Sequence, residues 1–444
     1  MLKEVEELLE EKKYREVKEK LNLLNSSDVA EILEDIEPKE IIKVIKLINK
    51  DKAAEVFAYL PVEKESEVIS LLTDKEAVSL LDEMYTDDAV DLLEEMPSNV
   101  VTRLLKKCTS ETRNDINKLL NYPENSAGSI MTVEYAELKE DLTIKQAIKK
   151  LRKEIEYYET INICFVVDAG RRLTGSIHLK DIICANENDL VKDIINKDVI
   201  SCKTTDDQEE AARMFQKYDL TAMPVVDSEN RLVGMITIDD IMDVLQEENT
   251  EDIEKMAAIM PTHKSYFNVG IFETWKARIP WLLLLMVSAT FTGKIIQSYE
   301  SALATCVILT SFIPMLMDTA GNAGGQSSVT IIRGLSLYEI EFRDLIKVLW
   351  KEMRVAILCG ITLAAANFIK LLVIDKVTIQ VAFVVNLTLV CTIFIAKIIG
   401  STLPLFAKKI GFDPAVMASP FITTIVDACS LIIYFQIATT LLGI

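Results

Sequence analysis

Two carboxylates stand in stretches too apolar to carry them without a purpose. Asp427 lies in Phe421-Ile-Thr-Thr-Ile-Val-Asp-Ala-Cys-Ser430, and Asp318 precedes Thr319-Ala-Gly-Asn-Ala-Gly-Gly-Gln-Ser-Ser328. A charge at bilayer depth is costly unless it faces protein or water, so each is a functional candidate. Asp427 sits mid-span, with Thr423 and Thr424 three to four residues before it on the same helical face. No Arg or Lys stands mid-span to pair with it, so the ionised form most needs a cation; the bland alternative is a protonated acid bonded to a neighbouring helix. The glycine-rich stretch is expected either to break its helix, turning carbonyls and the Asn322 amide toward an ion's hydration shell, or to pack helices closely. Hard divalent cations suit such oxygen ligands.

These residues need membrane helices to position them. A helix crossing ~30 Å of hydrocarbon takes about 20 mostly apolar residues. Five spans are expected, roughly Trp281 to Gln297, Ala302 to Met317, Val355 to Ile374, Val381 to Phe406 and Pro414 to Leu442. On that division Asp318 falls near the cytoplasmic end of the second span, where it only caps or pairs. Lys294, Lys370 and Lys397 are expected to snorkel or pair near span ends. Lys276, Arg278, Arg333, Arg343, Lys347, Lys351, Arg354, Lys408 and Lys409 collect in alternate loops, which predicts the N-terminus inside and the C-terminus outside.

Charge divides the chain the same way. From Lys276 onward 13 Lys and Arg stand against 9 Asp and Glu, whereas before it 35 stand against 59. An acidic front disfavours nucleic acid and has cations as natural counterparts. The eight cysteines form no CxxC pair, so they read as small apolar side chains rather than a disulfide frame or zinc site. The N-terminal MLKEVEELLEEKK lacks the apolar core of a signal peptide, placing the front half in the cytoplasm.

The front half itself has two parts. From Leu2 to about Leu120 apolar residues keep helical spacing, and DVAEILEDIEP from Asp28, DKAAEVFAYLP from Asp51, DKEAVSLLDEMY from Asp74 and DDAVDLLEEMP from Asp87 recur, the first three 23 residues apart. Stacked short helices in a superhelical array fit such a repeat. After Tyr122-Pro-Glu-Asn-Ser-Ala-Gly-Ser129 the pattern changes and duplicates: Phe165 to Ile182 aligns without gaps to Pro224 to Ile241, each copy reading helix, strand, turn, strand, helix. This resembles a tandem pair of CBS domains, whose clefts often take adenosine nucleotides. The second copy has Thr237 followed by Asp240, a pair that can bond a ribose or merely cap a helix; the first copy has His178 and Asp181 and departs at the hydroxyl.

Taken together, the acidic helical repeats, the Tyr-Pro-Glu-x-Ser-Ala-Gly-x-Ile-Met-Thr junction, the CBS pair, Arg278-Ile-Pro-Trp281, Gly321-Asn322…Gln326-Ser327, Asp413-Pro414 and Asp427 resemble the MgtE-type magnesium transporters over essentially the whole chain. The resemblance implies a multidomain fold: an all-α superhelical N-domain (1–122), an α/β tandem CBS module (129–248, copies about 129–190 and 196–248), a connecting plug helix (249–278) and an α-helical membrane domain with five transmembrane helices (279–444). It implies a homodimeric, lipid-embedded Mg²⁺ channel of the inner cell membrane, without enzymatic activity. Its pore residues would be Asp427, Asn322, Ala428 and Gly321. Its cytosolic Mg²⁺ sensor, closing the pore at high internal Mg²⁺, would use Asp87, Asp91, Asp207, Glu209, Asp219, Asp240, Asp243, Glu248, Glu251 and Asp252, with ATP at Thr237 and Asp240 of the CBS module. Ser419 replaces a polar amide that some members carry near the entrance. A channel for Co²⁺ or Ni²⁺ and a membrane-anchored sensor without transport are the alternatives. An intramembrane aspartyl protease lacks its Tyr-Asp and Gly-x-Gly-Asp contexts, and an anion channel would not line its path with carboxylates.

Overall fold

A computed structural model of the chain describes residues 2–443 apart from 12, 263–265, 267, 268 and 418. It comprises two compact units that meet after Gln246.

The first unit opens with ten helices among the described residues: α1 (Leu2–Glu10), α2 (Tyr14–Asn22), α3 (Ser26–Glu34), α4 (Pro38–Ile45), α5 (Lys50–Ala58), α6 (Val62–Leu71), α7 (Asp74–Leu81), α8 (Thr86–Glu94), α9 (Ser98–Leu105) and α10 (Ser110–Leu119). From α3 on, each helix begins 12 residues after the last. The helices are too short to be stable alone. Each packs on the helix two further along, α3 on α5, α4 on α6, α6 on α8 and α8 on α10, which buries one apolar stripe per helix in a two-layered superhelix. The underlying step is thus half the 23-residue period read from the sequence, and DDAVDLLEEMP belongs to the alternate layer.

The CBS module follows with β1 (Tyr135–Lys139), α11 (Ile144–Glu154), β2 (Thr160–Val167), β3 (Leu173–His178), α12 (Leu179–Cys184), α13 (Val191–Ile194), β4 (Cys202–Lys203), α14 (Gln208–Tyr218), β5 (Ala222–Val226), β6 (Leu232–Thr237) and α15 (Ile238–Met256). Both sheets have one topology: the first strand pairs parallel with the second, and the second antiparallel with the third. The copies face each other about a pseudo-two-fold: Leu173 N–H donates to Asn230 O and the equivalent Leu232 N–H donates to Arg171 O, each at 3.0 Å. Arg171 and Asn230, at φ 61° and 63°, make the matching turns. The helical array and the second copy share one apolar core, running from Val17 through Leu93 to Phe215 and Val244.

The second unit holds α16 (Ile271–Ser298), α17 (Glu300–Thr305), α18 (Ile313–Ser336), α19 (Leu345–Val373), α20 (Ile379–Lys409) and α21 (Ser419–Leu442), with 3₁₀ turns at Val307–Phe312, Phe342–Asp344 and Ala415–Met417. Among the described residues four helices, α16, α19, α20 and α21, are long and apolar enough to cross a membrane. Expectation and structure part at the second span. Residues 302–312 form short helical turns, folded onto α21 by Tyr434, whose hydroxyl donates to Leu309 O at 2.9 Å. The helix in this position is α18, which carries the glycine-rich motif along its length and is less apolar than its neighbours. Over half of the apolar stretch of α20 is buried and none of that of α16, so α20 forms the middle of the unit. The expected plug, 249–278, lies partly outside the described residues; what is described comprises the end of α15, non-helical residues between the two helices, and the first turns of α16.

Candidate cation sites

Carboxylates from three distant parts of the chain converge in the first unit. Asp87 and Asp88 stand in the first turn of α8, and Asp239 and Asp240 in the first turn of α15, where the positive helix ends favour negative charge. Glu134 and Glu159 come from the CBS module just before β1 and β2. Carboxylate oxygens of Glu159, Asp239 and Asp240 lie within 4.8 Å of one another. Hydroxyls orient the set: Thr86 Oγ1 donates to Glu134 Oε1 at 2.5 Å, Thr132 Oγ1 to Glu134 Oε2 at 2.6 Å, and Thr237 Oγ1 to Asp240 Oδ2 at 2.6 Å.

The electrostatics are those of acids crowded together. Burial first, then Asp240 and Asp88, push the Asp87 carboxyl well above its usual range. Burial and then Asp240 raise Asp88 to about 7 and Glu159 to about 8. Asp240 is raised to about 6, chiefly by burial, with the Thr237 hydrogen bonds pulling the other way. Asp243 is raised by burial and by Asp239. Behind them Glu65, buried in α6, is raised to about 9 by burial, then by Asp88 and Asp91. The charged neighbours that act on these groups are all acids, and Glu159 Oε2 is buried with no hydrogen-bond partner. An all-oxygen donor set with surplus negative charge and an orphaned oxygen fits a hard divalent cation.

The sequence placed Asp87, Asp91, Asp240 and Asp243 here. It missed Asp88, Asp239, Glu134, Glu159 and Glu65. The first two adjoin residues already singled out, whereas Glu134, Glu159 and Glu65 reach the site through tertiary folding and leave no local signal. Other sensor candidates lie elsewhere. Asp207 caps α14, its Oδ1 accepting from Glu209 N–H at 2.8 Å, and Asp219 ends the same helix at φ 50°. An 11-residue helix puts about 16 Å between those ends. Glu248, Glu251 and Asp252 lie on the part of α15 that belongs to the second unit. There Lys255 Nζ meets Glu251 at 2.5 Å and Asp413 at 2.7 Å, and Ser336 Oγ donates to Asp252 Oδ2 at 3.4 Å.

Thr237 and Asp240 do both things weighed for them. Asp240 accepts from the Thr237 hydroxyl and backbone N–H, the geometry of a helix cap, while Thr237 also lines a cleft of about 850 Å³. That cleft is walled by Thr160, Asn162, Thr221 and Asp239 of the CBS module and by Lys52, Glu55 and Tyr59 of the helical array.

In the second unit α18 is an unbroken helix, so the expected opening of its backbone does not occur. Its glycines serve close packing. A Cβ on Gly321 would lie 3.0 Å from Thr423 Cγ2 and 3.9 Å from Asp427 Oδ1, and one on Gly400 of α20 would lie 2.1 Å from Gly324 O. Gly321 and Asp427 are thus brought together. Asn322 stands on the exposed face of α18 with Asp318 and Gln326, four residues apart along one stripe. Asp318 lies in the second turn of α18, remote from the basic segment that follows the helix, and acts electrostatically on Asp427. Ala428 is half-buried beside Asp427. Thr423 and Thr424 both donate to Pro420 O, at 2.9 and 3.1 Å. Lys370 pairs with Asp375 at a helix end, 3.2 Å away, whereas Lys397 is buried against Glu352. The Ser419 side chain lies outside the described residues.

A superhelical array and a CBS pair, followed by a helical domain with several helices long and apolar enough to cross a membrane, define a class: a multidomain membrane protein. Comparison with known proteins makes this specific. The MgtE divalent cation transporter domain matches residues 313–437, the MgtE intracellular N domain 24–125, and CBS domains 127–187 and 191–247. The magnesium transporter MgtE of Thermus thermophilus is 37% identical over 77% of this chain and 75% of its own length, and that of Bacillus subtilis 35% identical over 73% and 71%. The crystal structure of the soluble part of a magnesium transporter superposes with a TM-score of 0.53 at 30% identity, over 56% of this chain and 97% of its own. That of the cytosolic domain of the Mg²⁺ channel MgtE in complex with ATP gives 0.53 at 34%, over 55% and 100%. The chain belongs to the MgtE family of divalent cation transporters and is not an enzyme.

Proposed function

We propose that this chain is a Mg²⁺ channel for uptake across the inner cell membrane, opened and closed by Mg²⁺ on its cytosolic side. The observation that carries the reading is Asp427, an acid mid-helix on α21, packed against Gly321 of α18 and acted on by another acid, Asp318. A carboxylate so placed attracts a cation and offers few ligands, so the ion keeps most of its water and can leave again.

The chain works as a homodimer with its pore on the two-fold axis. The exposed polar stripe Asp318, Asn322 and Gln326 supports this, since lipid is a poor neighbour for it and a second copy across a water path a good one. The basic loops put the N-terminus in the cytoplasm and the C-terminus outside. With α18 as the remaining span, five helices cross, and Asp318 sits toward the outer mouth.

In the sensor, Mg²⁺ held by Asp87, Asp88, Glu159, Asp239 and Asp240 offsets repulsion between α8 and α15. When Mg²⁺ falls the acids repel and the helical array parts from the CBS pair. ATP occupies the cleft at Thr237 and Asp239, a reading supported by the ATP complex of the related cytosolic domain.

Growth of cells that depend on supplied Mg²⁺ tests the transport reading. The chain restores growth at low Mg²⁺, and Asp427→Ala does not. Rescue by the alanine variant overturns the pore assignment. Preference for Co²⁺ or Ni²⁺ in uptake assays would favour a channel for those ions, and no uptake of any divalent ion a sensor without transport.

A further inference from the structure

Three helices of the membrane unit meet at a buried polar contact. Ser327 Oγ on α18 donates to Glu352 Oε2 on α19 at 2.6 Å, Lys397 Nζ on α20 donates to Ser327 Oγ at 3.1 Å, and Lys397 and Glu352 stand 3.7 Å apart. Glu352 is 8% exposed, Lys397 5% and Ser327 2%. In a wholly apolar surround each charge would be prohibitive alone, so the three hold one another. One turn away, Gly324 O abuts Gly400 of α20, so backbone contact sets the distance between α18 and α20 while the polar contact sets how α18 is turned.

Turning matters because the faces of α18 differ. Ser327 lies about 140° around the helix from Asn322, and a slip of one residue turns a helix by about 100°. Such a slip would carry Asn322 and Gln326 off the exposed stripe and put a packing residue, Ala323, in their place.

We propose that Glu352 and Lys397, joined through Ser327, are positioning residues that fix the rotation of α18 and thereby decide which of its faces meets the ion path. They act through Ser327 and touch no ion. The proposal rests on the pore reading of Asp427.

The test uses the full chain in membranes, its native cysteines replaced, with single cysteines at 322, 323 or 326 probed by a charged, water-borne methanethiosulfonate. With the natural pair, 322 and 326 react at least about tenfold faster than 323. Lys397→Met removes that contrast and lowers Mg²⁺ uptake about tenfold. The exchanged pair, Glu352→Lys with Lys397→Glu, restores both, because a serine hydroxyl serves either order of donor and acceptor. If the exchanged pair does not reach the membrane, Glu352→Gln with Lys397→Gln takes its place, and retained contrast is again expected. Contrast unchanged in Lys397→Met, contrast lost in every paired variant, or none with the natural pair overturns the proposal. Uptake by Asp427→Ala decides the pore reading separately, since that variant leaves the contrast intact.

Discussion

The two acidic regions of this chain use the same side-chain chemistry at very different densities. In the first unit at least five carboxylates crowd between α8, α15 and the CBS strands, two of them, Glu134 and Asp240, held in place by threonine hydroxyls. In the second unit one carboxylate, Asp427, stands beside Gly321 of the neighbouring helix. Many oriented oxygens bind an ion long enough to change a conformation. A single carboxylate beside packed backbone holds it loosely enough to pass it on. On the proposed function, site strength rather than ligand type would separate the sensor from the path.

That contrast can be broken from either end. The largest effect is expected at the path: Asp427→Ala lowers Mg²⁺ uptake by at least about 100-fold while leaving Mg²⁺-dependent protease protection of residues 2–246 unchanged. Loss of both would mean that the regions are not separable. Gly400→Val comes next. Its side chain must displace the backbone of α18 at Gly324, so folded protein in the membrane falls about tenfold, measured by detergent-resistant monodisperse yield. At the sensor, Asp87→Asn with Asp240→Asn removes repulsion as well as ligands. The soluble unit then stays protected without Mg²⁺, and the Mg²⁺ needed to close the channel loses its effect over at least a tenfold range.

Proton linkage gives a smaller effect with a definite sign. Asp240, Asp88 and Glu159 are raised to about 6, 7 and 8 in the folded unit, so the folded state holds more protons than the unfolded one between pH 4 and 8. Stability of the Mg²⁺-free unit therefore falls as pH rises through that window. Melting at pH 6 is expected to exceed that at pH 8 by a few degrees, and millimolar Mg²⁺ to erase the difference by replacing the lost protons. A melting temperature that rises from pH 6 to 8 without Mg²⁺ would contradict the cluster. The smallest change is Thr237→Val, which removes the hydroxyl that orients Asp240 and costs about 1 kcal/mol, read as a modest drop in melting temperature and weaker Mg²⁺ protection.

Much of this was legible in the chain before it was folded. Gapless duplication of Phe165–Ile182 in Pro224–Ile241 maps onto two sheets of one topology, because strand order and turn position are local. Asp427 announced itself through contrast with its surroundings. The long helix α18 did not, because it carries glycine, serine and amide residues where hydropathy looks for leucine, and the more apolar 302–312 drew the assignment instead. Its glycines also admitted two readings, and the unbroken course of α18, with its backbone at Gly324 packed where a Cβ on Gly400 would stand, chooses packing over a break. Of the sensor acids, those in DD pairs on helix ends could be read from composition at a cap. Glu134, Glu159 and Glu65 could not, since nothing within twenty residues of them marks their convergence. The Ser327 contact was hidden for the same reason, its partners lying 25 and 70 residues away.

Glu159 and Asp239 have two duties that meet at one surface: each belongs to the acidic trio, and each also walls the 850 Å³ cleft. A phosphate chain entering that cleft brings its own negative charge against them, and a cation entering the trio relieves it. If both ligands bind as proposed, the two occupancies are linked, each strengthening the other by an equal factor. On the proposed reading, such a molecule would read two supplies at once, responding to the joint abundance of metal and energy currency where separate sites would report each alone.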